Sequence, residues 1–196
     1  MFRLGMTGSI GTGKSTTAAM FRAHGVPVHD ADAAVREVYA GEAVDPVGKA
    51  FPGVISDGKV DRKLLAAQLK AAPERFAELE RIVHPLVHAV EQRAIAAAAR
   101  AGSRLILLDI PLLFETRAER RCDAVLVTVV APEEQKRRVL ARPGMDEALF
   151  HAILARQMPM AEKCRHAHAI IDTGSGFEAA RHEVAALLRA LAAVAT

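Results

Sequence analysis

Gly8, Gly11, Gly13, Lys14 and Ser15 stand at a spacing with chemical consequences: a glycine, four free positions, then Gly-Lys-Ser. Glycines at these points let the backbone turn tightly and aim successive N–H groups at one centre. A helix beginning at Lys14 adds its partial positive charge at the same place. Lys14 brings a mobile cation able to reach the outer phosphates of a polyphosphate, and the Ser15 hydroxyl can ligate Mg²⁺. The alternative is a glycine-rich turn with no ligand, and local context separates the two. FRLGMT (residues 2–7) is apolar enough to be a buried strand, and STTAAMFRAHG (15–25) reads as a helix closed by Gly25. Strand, loop and helix in that order predict a phosphate site formed by Gly11, Thr12, Gly13, Lys14, Ser15 and Thr16.

Several other side chains have types suited to chemistry on a phosphate. Asp32 follows the second predicted strand, on the rim where the loop lies, and a carboxylate there can accept a proton from a hydroxyl. It equally suits a first helical turn, where the dipole favours an acid and Arg36 is four residues on as a pairing partner. Asp109 ends an apolar run, a position from which an acid can orient Mg²⁺; its alternative is a cap on the following turn. Glu115 is read as no more than a helix-start residue. Arg138 and Arg142 share one helix face and border a flap that also carries Arg156. Arginine forks stabilise the charge that spreads over three oxygens of a transferring phosphoryl group, although an Arg-rich helix is also an ordinary solvated face. His84, placed before Pro85, is noted with a structural role as its alternative.

These residues need a scaffold, and the hydrophobic pattern supplies one. A short strand is expected at 26–29 and a helix at 30–41, with Asp30 as N-cap and Gly41 as stop. Residues 42–59, rich in Pro, Gly and Asp, read as loop with a short helix near 47–51. Helices follow at 62–71 and from Pro73, with Pro85 expected to kink or restart the second, since His84 is biased away from helical geometry. RLILLDI (104–110) and AVLVTVV (124–130) are continuous apolar runs of the kind buried on both faces of a parallel sheet. Helices are expected from Pro132, over 145–158 and over 177–193, and a last strand over 168–172. Strands alternating with helices predict an α/β fold with five mostly parallel strands. Ligands of such sheets collect beyond the carboxyl ends of the strands. That rule collects the loop, Asp30 and Asp32, Asp109 and Asp172 on one rim.

A chain of 196 residues with 51% hydrophobic residues is one domain able to bury a core without disulfides or metals. Its net charge of +3 suits polyanionic ligands. Aromatic residues make up only 4%, with no basic run interleaved among them, which argues against a platform for single-stranded nucleic acid. Cys122 and Cys164 match no metal spacing and fit a reducing, cytoplasmic setting. No leader peptide is read at Met1, and no apolar run reaches the length of a membrane span. A monomer or weak homo-oligomer is expected.

Taken in order, these stretches resemble the dephospho-coenzyme A kinase family along nearly the whole chain. The likeness is carried by TGSIGTGKST (7–16), HDADAAVREV (29–38), DGKVDRKLL (57–65), the His84-Pro85 pair and DIPLLFE (109–115). QKRRVLAR (135–142), ARQMPMAEK (155–163) and IIDTGS (170–175) complete it. The resemblance implies a P-loop NTPase fold of the nucleoside-monophosphate-kinase type. It would have a core at 1–30, 102–135 and 165–196, a helical substrate-binding region at about 31–101 and a lid at about 138–160. It implies transfer of the γ-phosphoryl group of ATP to the ribose 3′-hydroxyl of dephospho-coenzyme A. Asp32 would then be the general base, Lys14 and Mg²⁺ would hold the phosphates, Arg138 and Arg142 would clamp charge, and Arg36, Arg62 and His84 would fall on the substrate side. The chain departs from the family where Asp172-Thr173-Gly174 replaces the usual Asp-Asn-Ser-Gly. Another small-molecule kinase of the same fold is the nearest rival. A GTPase switch is excluded, because its guanine-reading Asn-Lys-x-Asp motif requires an asparagine and the chain has none.

Overall fold

The apolar runs become strands because their β-branched and leucine side chains are buried on both faces. The computed structural model describes residues 1–194; the final two positions of the expected core segment 165–196 lie outside the described residues. In chain order, β1 (Phe2–Gly8) leads into α1 (Lys14–Ala23) and β2 (Val28–Asp30) into α2 (Ala31–Tyr39). Then come α3 (Val44–Ala50), β3 (Ile55–Ser56), β4 (Lys59–Val60), α4 (Arg62–Ala71) and α5 (Phe76–Arg100). The chain continues through β5 (Leu105–Asp109), β6 (Ala124–Val129), α6 (Pro132–Leu140), α7 (Glu147–Leu154), α8 (Met160–Arg165), β7 (Ala169–Asp172) and α9 (Phe177–Val194).

Two compact units result, one of residues 1–29 with those from 98 onward, the other of residues 30–97. The first holds a five-stranded sheet in the order β2-β5-β1-β6-β7. β1 pairs in parallel with β5 and with β6, and β6 with β7. The first βα unit therefore occupies the centre, and its loop emerges between two neighbours. Register places Met6 beside Asp109 and Gly8 beside Thr128, so an acid and a hydroxyl flank the start of the loop. Leu4, Met6, Leu107, Leu126 and Ile171 are at most 1% exposed and pack with Phe21 of α1 and Val184 of α9. This core fixes the carboxyl ends of β1, β5 and β6 with little freedom.

The second unit has its own core, in which Val47, Phe51 and Val54 are fully buried among Val38, Leu65, Leu69 and Val83. Here the structure departs from the sequence reading twice. The short helix expected near 47–51 is present as α3, but the stretch after it is not plain loop: it forms an antiparallel hairpin of β3 with β4. Asp57 (φ 49°) and Gly58 (φ 70°) make its turn, the positive-φ pair that a two-residue hairpin requires. Of the kink or restart expected at Pro85, the restart does not occur; α5 is one helix with Pro85 inside it. Proline already has a helical φ, so the loss is one backbone bond, outweighed by burial of Leu79, Val83 and Val90 along one side.

Phe51 tests this second core. Its ring is fully buried and lies 4.2 Å beneath the Arg75 guanidinium. Phe51→Ala is expected to destabilise the protein by about 3–5 kcal/mol in urea unfolding followed by circular dichroism. A loss under about 1 kcal/mol would show that this core is not a cooperative part of the fold.

Candidate functional site

The loop of residues 8–13 is held from several sides. Thr12 Oγ1 donates to Ser9 O at 2.8 Å and lies 2.9 Å from Thr128 Oγ1 on β6. Thr12 N also returns to Ser9 O, at 3.2 Å, and Ile10 N is taken by Gln157 Oε1 at 3.2 Å. Ile10 N and Thr12 N are thereby spent inside the protein, and the start of α1 presents the N–H groups of its first turn to an anion. That helix has no side-chain cap and no acid in its first turn, so nothing of its own neutralises its positive end. Gly13 stands at φ 82°, and a Cβ there would come 2.8 Å from Thr173 Oγ1, so both backbone and space demand glycine.

Lys14 is not free in this conformation. Its Nζ lies 2.5 Å from Asp109 Oδ1, and the two side chains are 17% and 7% exposed. The sequence puts Asp109 at the end of a strand; the parallel register turns that position into the counter-ion of the loop lysine. Ser15 and Thr16 are exposed at the same end of α1.

Arg138 reaches the loop indirectly. Its Nε donates to Glu134 Oε1 at 2.7 Å, while Nη1 and Nη2 donate to Thr173 Oγ1 and Thr173 O, both at 2.9 Å. Thr173 Oγ1 lies 3.0 Å from Thr12 O and donates toward it. Arg137 and Arg138 together hold the Glu134 carboxyl down to about 2, so this anchor keeps its charge. Thr173 is thus the piece joining Arg138 to the loop. Arg138 and exposed Arg142 line a cavity of 310 Å³ with Thr17, Met20, Thr173 and Phe177. Asp172 faces its own turn, accepting from Gly174 N at 2.7 Å and from Ser175 Oγ at 3.3 Å.

Sequence reasoning missed the base of the flap. Glu115 is not a helix-start residue. Its Oε1 accepts from Met158 N at 2.7 Å and lies 2.9 Å from Lys163 Nζ, which is fully buried. Burial pushes the Glu115 carboxyl up, but Lys163 and backbone N–H groups, Met158 among them, outweigh it and hold the group below its ordinary 4.5. Because Met158 N–H is spent on Glu115 and Pro159 follows, the helix expected over 145–158 ends at Leu154, and α8 begins anew after Pro159. The sequence signal was Glu115 directly after an apolar run, with a lysine in ARQMPMAEK.

The second unit carries the other candidates separately. Asp32 is exposed in the first turn of α2 and makes no ion pair among the described residues. Its expected partner goes elsewhere: Arg36 Nη2 lies 3.8 Å from Asp30 Oδ2, and Asp30 caps α2 through Ala33 N at 2.9 Å. The N-cap stands two residues nearer the preceding strand, and its carboxylate is the one that reaches Arg36. Arg62 and His84 are exposed on α4 and α5. Arg62 is close enough to Tyr39 to oppose, in part, the upward push that burial gives that phenol.

With this geometry in hand, comparison with known proteins is informative. The family model described as Dephospho-CoA kinase matches residues 2–178. The chain is 53% identical over 188 residues to the dephospho-CoA kinase of Rhizobium meliloti, covering 96% of this chain and 97% of that one. A crystal structure from Thermus thermophilus superposes with a TM-score of 0.85 at 34% identity, covering 100% of this chain and 98% of that one. The dephospho-CoA kinase from Campylobacter jejuni gives a TM-score of 0.73 at 23% identity over 96% of each chain, a likeness of fold.

The Glu115–Lys163 pair gives a pH-dependent expectation. Its lowered folded pKa means that ionised Glu115 favours the folded state. That contribution is complete above the ordinary value of 4.5 and is lost as pH falls through the lower folded value. Glu115→Gln, which leaves buried Lys163 without a counter-charge, should cost about 3 kcal/mol at neutral pH. The gap between the two proteins in urea unfolding should narrow below the ordinary carboxyl range. A gap that is the same in neutral and acidic buffer would contradict the assignment.

Proposed function

The chain belongs to the dephospho-CoA kinase family, and we propose how its own residues divide the work of that reaction. The protein transfers the γ-phosphoryl group of ATP to the ribose 3′-hydroxyl of dephospho-coenzyme A, giving coenzyme A and ADP, the final step of coenzyme A biosynthesis. The observation that carries this reading is the family match over residues 2–178, falling on a chain whose phosphate loop is built and braced.

In the proposed mechanism the 3′-oxygen attacks the γ-phosphorus, the bond from that phosphorus to the β–γ bridging oxygen breaks, and ADP leaves. Asp32 takes the proton of the attacking hydroxyl. Its exposure and the absence of an ion-pair partner among the described residues support the role, because a carboxylate already committed to Arg36 would be a poorer acceptor. Lys14 exchanges Asp109 for the β- and γ-phosphates, a short swing for a side chain with four rotatable bonds. The N–H groups from Gly13 into α1 hold the β-phosphate.

Mg²⁺ fits the residues at this end of α1. An exposed Ser15 hydroxyl and the Asp109 carboxylate are hard oxygen donors, and Mg²⁺ in such sites takes few protein ligands, completing its shell with phosphate and water. When bound it would neutralise charge on the phosphates. Arg142 and Arg156, both exposed, supply further positive charge from the flap, and Arg138 orients the loop behind them. The 310 Å³ cavity beside Met20 and Phe177 takes the adenosine end of ATP. Arg36, Arg62 and His84 contact dephospho-coenzyme A. Among the described residues, no helix is long and apolar enough to cross a membrane. Neither Cys122 nor Cys164 is in a disulfide among the described residues, as a reducing cytoplasm would keep them, and we assign the protein there as a monomer or weak homo-oligomer.

An ATP-coupled assay offering dephospho-coenzyme A beside nucleoside monophosphates tests the substrate, with turnover expected only for the former. In the same assay Asp32→Asn should lower kcat by about 10²-fold or more while ATP affinity stays within about twofold. An Asp32→Asn enzyme as active as the wild type would remove Asp32 from the reaction.

A further inference from the structure

Ile10, at the tip of the phosphate loop, has both of its backbone polar groups taken by glutamine side chains from the flap. Gln135 Nε2 on α6 donates to Ile10 O at 2.7 Å, and Ile10 N donates to Gln157 Oε1 at 3.2 Å. The polarity is unambiguous: the carbonyl can only accept, so Gln135 must present its NH₂, and the N–H can only donate, so Gln157 must present its oxygen. These two glutamines bracket residues 136–156, the stretch that carries Arg138, Arg142 and Arg156. Both ends of the arginine-bearing flap are therefore tied to one residue of the loop.

The neighbours reinforce the tie. Gly11 stands at φ 80°, and a Cβ on it would come 3.2 Å from Gln135 O and closer still to Val139 Cγ2, so α6 packs directly on the loop backbone. Met158, next to Gln157, is fixed by Glu115 at 2.7 Å. Gln157 thus sits between two anchors, with Arg156 immediately before it. An N–H at the loop tip would otherwise be a free donor beside the incoming γ-phosphate; Gln157 spends it inside the protein and so decides which N–H groups the anion meets.

We propose that Gln135 and Gln157 are positioning residues for phosphoryl transfer: they fix the peptide planes on either side of Ile10 and hold the arginine-bearing flap in register with the phosphate loop. Neither touches the reacting atoms. They act through Ile10 on the direction of the loop N–H groups, and through Arg138 and Arg156 on where positive charge arrives. Register of this kind matters most in the transition state, when charge on the γ-phosphoryl oxygens is redistributed, so its loss falls on kcat.

The inference rests on the kinase reading, and its test separates the two. Gln135→Leu and Gln157→Leu keep side-chain size and remove the bonds. Each should lower kcat about tenfold, the kinetic equivalent of one buried hydrogen bond, with KM for dephospho-coenzyme A within about twofold. The decisive pair is Gln157→Glu and Gln135→Glu. Both add one negative charge beside the loop, but the first keeps an acceptor facing Ile10 N–H and the second sets a carboxylate against Ile10 O. Gln157→Glu should keep about a third or more of wild-type kcat, and Gln135→Glu should lose about tenfold or more. Melting temperatures identify any variant that fails to fold; should a leucine variant do so, the glutamate pair decides. Equal kcat for the two glutamate variants, or wild-type kcat in both leucine variants, overturns the proposal. If the wild type itself does not turn over dephospho-coenzyme A, the kinase reading falls instead. The glutamate pair is then compared by calorimetric ATP affinity, where Gln135→Glu must bind more weakly than Gln157→Glu for the proposal to stand.

Discussion

Everything in the first unit depends on keeping a concentrated positive end in place before any anion arrives. The start of α1, Lys14 and the turned backbone from Gly8 to Gly13 place like-signed dipoles and a cation within a few residues. Such an arrangement is costly in chain entropy and self-repulsion unless the surroundings over-determine it. They do so here with short, specific contacts. Asp109 neutralises Lys14, the Thr12 and Thr128 hydroxyls brace the turn, and Thr173 closes against Gly13. The register of the parallel sheet makes this possible, because it brings Asp109 and Thr128 alongside Met6 and Gly8.

The same logic extends outward to the flap. Arg138 is a bridge whose guanidinium is shared between Glu134 and Thr173, and its contribution to the phosphate site passes through Thr173 to Thr12. At the other end of the flap, Glu115 and buried Lys163 fix the chain where it returns to the core. A buried ion pair is weak as a source of net stability but strongly resists displacement of either partner.

Much of the architecture was legible because its physics is local. Continuous apolar runs at 104–110 and 124–130 announced buried parallel strands, and glycine spacing announced the loop. What escaped was set by contacts between distant residues. Asp57-Gly58 was read as part of a loop, because the hairpin needs Ile55 and Val60 to pair across it. Pro85 read as a kink or a restart, yet the packing of Leu79, Val83 and Val90 overrides the bond it loses and α5 continues through it. Glu115, Gln135, Gln157 and Thr173 carry no spacing signature, since their partners lie far along the chain. Asp32 remained ambiguous in sequence because Arg36 could pair with it; the structure gives Arg36 to Asp30 and leaves Asp32 exposed.

Phosphoryl transfer asks a protein for position and charge more than for covalent chemistry, and the chain's investment in bracing one loop matches that demand. The claim beneath the whole account is that this loop is the seat of the triphosphate and that Lys14 leaves Asp109 to hold it. Calorimetric titration of ATP in the presence of Mg²⁺ into the wild type and into Lys14→Ala measures this directly. The account requires one ATP per wild-type chain and an affinity weakened by about tenfold or more in the variant, the loss of roughly 1.4 kcal/mol of charge-assisted binding. Equal affinities, or no binding to the wild type, would contradict it.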